Sequence, residues 1–120
     1  MVKNGMMYQL DTNVVIQILR GDKAIIKRVY EVGIDNCCIS EITIAELYFG
    51  AEKSGRQNHF RDVDNILRLF KVLPITSALL QYAKYRWSLE RIGMKIDTMD
   101  LFIGSTAFCN KMILVTGNSK

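Results

Sequence analysis

The chain has 120 residues, 49% hydrophobic and 23% charged, which suits one globular domain and leaves no material for a second full core. With 1 proline, no repeat and no low-complexity run, disordered and fibrous classes are excluded; the net charge of +4 permits an anionic partner without demanding one. The longest uncharged stretch, residues 72–83, falls short of the roughly 20 apolar residues of a membrane span, and residues 1–10 lack the apolar core of a secretory signal, so the expected setting is cytoplasmic, without a membrane partner.

Residues 6–10 read as a short buried strand, stopped by the helix-capping types Asp11, Thr12 and Asn13. An apolar helix over 14–19 closes at Gly21, and a second over 23–32, with Ile25, Ile26 and Val29 inward, ends at Gly33. Cys37, Cys38 and Ile39 form a second strand. Ser40 caps a helix running to about residue 53, which Ser54 and Gly55 stop. Residues 57–70 are helical by spacing, with Phe60, Val63, Ile66, Leu67 and Phe70 on one face. Val72 and Leu73 give a very short third strand ended by Pro74. A long helix over 76–92 closes at Gly93, Asp97 caps a helix over 98–110, and Ile113, Leu114 and Val115 make a fourth strand. The three cysteines are unspaced and odd in number, so they read as buried reduced thiols rather than disulfides or a zinc site. Short apolar strands alternating with helices predict an α/β fold with a parallel sheet covered on both faces. Such sheets hold ligands beyond the carboxyl ends of their strands.

Three acids converge on that edge. Asp11 follows the first strand, Glu46 lies in the helix after the second, and Asp100 lies in the first turn of the helix before the fourth. Asp11 alone reads as a helix cap, and Asp100 alone as a first-turn acid favoured by the helix dipole. Glu46 is different. Its neighbours Ile42, Thr43, Phe49 and Gly50 offer no cation, and a carboxylate on such a face requires a partner from elsewhere in the fold. Two carboxylates about 4 Å apart repel by roughly 4 kcal/mol at an effective dielectric near 20, so a gathered set calls for a cation. An all-oxygen set selects Mg²⁺ or Mn²⁺ over zinc, and such ions assist phosphodiester hydrolysis by activating water. The lone His59 is read as distant from this set, on a polar helix entry.

Four segments carry a resemblance. Leu10-Asp11-Thr12-Asn13, the run from Ser40 through Glu46 to Ala51, the run from Asp100 to Ala107, and Leu114-Val115-Thr116-Gly117-Asn118 occur in the order and spacing of PIN-domain ribonucleases, in particular the VapC-type toxins of prokaryotic toxin–antitoxin pairs, which the chain resembles along nearly its whole length. The resemblance implies a three-layer α/β/α sandwich spanning 1–120 as a single domain, with residues 1–5 an N-terminal extension and the fifth strand of relatives missing after Lys120. It implies a Mg²⁺- or Mn²⁺-dependent endoribonuclease with Asp11, Glu46 and Asp100 as metal-binding and catalytic acids. Thr12 and Asn13 would position the first acid, and Thr116 and Asn118 would occupy the fourth site position, which is often acidic in relatives. RNA as substrate, a cognate antitoxin as partner and a homodimer follow from the same resemblance.

Other readings compete. Asn118 offers an amide where relatives offer a carboxylate, which leaves room for a catalytically inactive module that binds an antitoxin or RNA. A phosphohydrolase using Asp11 as nucleophile would want Asp at position 13, where Asn13 stands. Among the basic residues, Arg86 and Lys95 are the best placed to meet phosphate, and Tyr85 and Trp87 could stack on bases.

Overall fold

The computed structural model describes residues 6–117. Strands β1 (Tyr8–Leu10), β2 (Cys37–Ser40), β3 (Lys71–Leu73) and β4 (Ile113–Val115) form one parallel sheet in the order β3-β2-β1-β4. The helices are α1 (Thr12–Leu19), α2 (Lys23–Val32), α3 (Glu41–Ser54), α4 (Gln57–Leu69), α5 (Leu79–Arg91) and α6 (Thr98–Cys109).

The pleat of β1 sorts the layers. Leu10, opposite Ile39 of β2, joins Val14, Val15, Val29, Val63 and Ile66 in one apolar core, which puts α1, α2 and α4 on one face. Gln9 points the other way, fully buried, and its Nε2 donates to the Ile103 carbonyl of α6 at 2.9 Å. Helix α5 packs on α6 over that second face. The result is the expected three-layer α/β/α arrangement. The chain leaves β1 toward β2 and β3, then returns to β1's other side as β4. The order therefore reverses between β1 and β4, and crevices form at the carboxyl ends of strands flanking such a reversal.

Several expectations are corrected in detail. β1 starts at Tyr8 rather than residue 6, and α1 starts at Thr12 rather than 14, because the Asp11 side chain accepts from Val14 N at 3.0 Å and caps the first turn. The long helix over 76–92 is a 3₁₀ turn, Thr76–Ala78, leading into α5. Leu67 leaves the inward face of α4 and is exposed, because Val63, Ile66 and Phe70 already fill the narrow stripe that meets the sheet. Cys37 and Cys38 are buried, and burial, then the adjacent Cys38, pushes the Cys37 thiol up to about 11. Cys109 departs from the buried reading: it sits exposed at the end of α6. Gly55 closes α3 at φ 67°, a left-handed conformation that a side chain would strain. No helix among the described residues is long and apolar enough to cross a membrane. The expected extension at 1–5 lies outside the described residues.

Candidate active site

Asp11 leaves the carboxyl end of β1 and does two things with one oxygen. Oδ1 accepts from Val14 N at 3.0 Å and from Gly117 N, just beyond β4, at 3.4 Å. The cap therefore fixes the carboxyl at the reversal point of the sheet, and Oδ2 has no hydrogen-bond partner among the described residues. The capping role and the cavity-facing role coexist.

Glu46 is half-buried on α3, and its partner is a hydroxyl. Thr12 Oγ1 donates to Glu46 Oε1. Thr43 Oγ1, fully buried one turn earlier on α3, lies 3.1 Å from Thr12 Oγ1. The Thr12 proton is committed to the carboxylate, so Thr43 must be the donor to Thr12. A relay from Thr43 through Thr12 thus holds Glu46, and Thr12 is a partner from elsewhere in the fold, of the kind the sequence calls for.

Asp100 sits in the first turn of α6, after Asp97, whose Oδ1 caps the helix by accepting from Met99 N at 3.0 Å. The side chain reaches solvent, yet its proton is held above the ordinary carboxylate range by partial desolvation, then by the charges of Asp97 and Asp11. Asp11 and Asp100 therefore feel each other across a shared space. That space is a cavity of about 300 Å³ whose walls include Asp11, Thr12, Asn13, Glu46, Phe49 and Asp100. Five of the predicted site residues meet there. Thr116 is exposed beyond β4 and does not line the cavity, and Asn118 lies outside the described residues.

The polar atoms around the cavity are oxygens and one amide, without imidazole or thiol. Among the described residues no three acidic, histidine or cysteine side chains are close enough to clasp one ion together. Magnesium does not require that: it is commonly held by one or two carboxylates with water completing the shell. The donor set fits a hard divalent cation.

Sequence reasoning missed two supports. Thr43 stands in the sequence only as a helical neighbour of Glu46 that offers no cation, and packing alone reveals that its hydroxyl meets Thr12. At Gly117 an added Cβ would lie 3.0 Å from Gln17 Oε1 and 3.2 Å from Asn13 Cβ, so only glycine lets this backbone approach α1. His59 lies apart from the acidic cavity, as expected: its ring bonds to Ser54, eight residues beyond Glu46 on α3, and it lines a separate groove that reaches Glu46 at its other end. The expected phosphate contact Arg86 is already engaged, with Nε 2.8 Å from Glu90 Oε2 and Nη1 donating to Tyr82 Oη at 2.7 Å. Tyr85 meets Phe108 edge-on at 5.7 Å, which leaves Trp87 as the exposed aromatic of α5.

The PIN domain family matches the chain over residues 8–120. Ribonuclease VapC1 of Haemophilus influenzae (strain R2866) is 34% identical, the aligned part taking in 96% of this chain and 89% of that protein. The tRNA(fMet)-specific endonuclease VapC of Shigella flexneri is 27% identical, across 94% of this chain and 87% of its own length. Among solved structures, VapBC2 from Rickettsia felis bound to a DNA fragment from their promoter superposes with a TM-score of 0.87 at 28% identity, covering 96% of this chain and 90% of that one.

Proposed function

This chain belongs to the PIN domain family, and from that membership we propose that it is a VapC-type endoribonuclease, hydrolysing RNA phosphodiester bonds with Mg²⁺ or Mn²⁺. The observation that carries the proposal is the meeting of Asp11, Glu46 and Asp100 in one cavity at the reversal point of the sheet. Asp11 and Asp100 would hold the ion, and Glu46 would reach it through water. A divalent ion bound there supplies an acidified water and neutralises charge on the phosphate under attack. The chain's own groups do the positioning. The backbone amides of Val14 and Gly117 fix Asp11, and Thr12 keeps Glu46 Oε1 turned so that Oε2 is left to orient or deprotonate water. No side chain is needed as a covalent nucleophile.

The name of the Shigella flexneri relative makes tRNA a first substrate to try, and the resemblance to VapC-type toxins extends the proposal to a toxin restrained by a cognate antitoxin. We further propose a cytoplasmic setting and a homodimer.

The test is cleavage of purified tRNA and ribosomal RNA during Mn²⁺ titration against an EDTA control. Cleavage by the parent and loss of at least about a hundredfold in Asp100→Asn, with unchanged far-ultraviolet circular dichroism, is the expected result. An Asp100→Asn protein that cleaves like the parent would overturn the assignment, and RNA binding without turnover would leave an inactive binding module.

A further inference from the structure

A second groove opens beside the first. It holds about 350 Å³ between α1, α3 and α4, and it shares Ile16 and Glu46 with the acidic cavity. That volume lies within the range of small-molecule sites, about 300–1,000 Å³. An RNA strand whose phosphate enters the acidic cavity must send its adjoining nucleotides into the spaces that open from it. This groove is one such space, and its polar groups are Arg20, Glu46, His59 and Asp62.

The hydrogen bonds around His59 fix what it presents. Ser54 Oγ donates its one proton to the Ala51 carbonyl at 2.9 Å and accepts from Arg56 N at 3.2 Å. The 2.7 Å contact between Ser54 Oγ and His59 Nδ1 must then be donated by the ring. Neutral His59 therefore carries its proton on Nδ1, and Nε2 is an acceptor. Asp62 lies one turn further along α4, so both project from the same helix face, above buried Val63. Among the described residues neither Asp62 nor Arg20 has an ion-pair or side-chain hydrogen-bond partner, so the groove offers two neighbouring acceptors and one uncommitted guanidinium.

Two acceptors in an RNA-facing groove repel phosphate and reward a base edge made of donors. Guanine alone presents two adjacent donors, N1–H and the N2 amino group, on its Watson–Crick edge. Adenine and cytosine set a ring-nitrogen acceptor beside the amino group, and uracil flanks its N–H with carbonyls. We propose that this groove is a base-specific subsite for an unpaired guanine next to the scissile phosphate, read by Asp62 with His59, while Arg20 meets the backbone. The assignment rests on the ribonuclease reading above.

The chain contains 1 histidine, so in untagged protein every imidazole signal in carbon–proton correlation spectra belongs to His59. The probes are short uridine oligoribonucleotides carrying one central guanine, adenine, cytosine or uracil, added to Asp100→Asn protein so that they stay intact. The guanine probe is expected to bind most tightly and to move the His59 signal. Asp62→Asn lowers the affinity ratio of guanine over uracil by about tenfold, the scale of one bidentate base contact. Gly50 lines the groove, and a Cβ added there meets no atom within 4 Å, so Gly50→Leu obstructs the groove without disturbing the helix and lowers the ratio likewise. Probes that bind without base preference, or without moving the His59 signal, would overturn the subsite and leave the groove to a protein segment. Parent protein that cleaves RNA while no probe binds overturns the subsite alone. Parent protein that neither cleaves nor binds RNA overturns the ribonuclease reading with it.

Discussion

Asp100 shows what it costs to assemble a cation site before the cation arrives. Desolvation and the charges of Asp97 and Asp11 raise its proton affinity in the folded chain, whereas in the unfolded chain it titrates as an ordinary carboxylate. The fold is therefore penalised at every pH above the raised folded value, and the penalty vanishes once pH falls below the unfolded value. Asp100→Asn removes the charge, so the metal-free variant should melt higher than the parent at neutral pH. The difference should shrink through the acidic range and disappear below the usual carboxylate titration. Thermal melts in EDTA across that range check it; a neutral-pH variant that melts lower would show that Asp100 makes a stabilising contact instead. The hydroxyl relay predicts an order of effects. Thr12→Val removes the donor to Glu46 and strands Thr43, and should cost about 10–100-fold in Mn²⁺ affinity or cleavage. Thr43→Val leaves the Thr12 proton on the carboxylate, so its effect should be several-fold smaller. Equal losses would mean that the two hydroxyls do not act in series.

At the scale of elements, periodicity and caps carried most of the fold. The helix over 23–32 matches α2 because Asp22 and Gly33 mark both ends with side-chain and backbone chemistry readable from residue type. The strands and their parallel pairing were legible for the same reason: short apolar runs between helices leave few alternatives. What was not legible depends on contacts between distant segments. The groove that runs from Glu46 to His59 exists only because α4 packs along α3. The Thr43 hydroxyl and the Gly117 backbone became visible as supports only once α1, α3 and β4 were in place. Exposure was misjudged at Cys109, the last residue of α6, because residue type alone does not show where packing on a helix stops. Gly117 gives a test at this scale. An alanine there must displace Asn13 Cβ from 3.2 Å, which lifts the end of β4 from α1 and lengthens the 3.4 Å bond from Gly117 N to Asp11. Gly117→Ala should cost about 1 kcal/mol of stability and about tenfold in cleavage. Unchanged cleavage would remove Gly117 from the machinery that positions Asp11.

For the molecule as a whole, the acidic cavity and the net charge of +4 pull in different directions. The surrounding charge favours RNA, whereas the cavity repels phosphate until a cation fills it. Binding of metal should therefore be coupled to folding as well as to substrate. A ligand that binds only the native state adds about 2.7 kcal/mol of stability at one hundred times its dissociation constant. The Mn²⁺ concentration that supports cleavage should raise the parent's melting temperature by several degrees, and EDTA should reverse the rise. Asp11→Asn and Asp100→Asn each remove a carboxylate from the cavity, so both should lose most of that rise while remaining folded. The comparison isolates the site, because weak binding of Mn²⁺ to other surface acids would survive either substitution. Identical rises in all three proteins would place the stabilising ion elsewhere and separate the acids from metal binding. A rise lost in Asp100→Asn but kept in Asp11→Asn would assign the ion to Asp100 with Glu46, and would make Asp11 chiefly the cap that its bonds to Val14 and Gly117 describe.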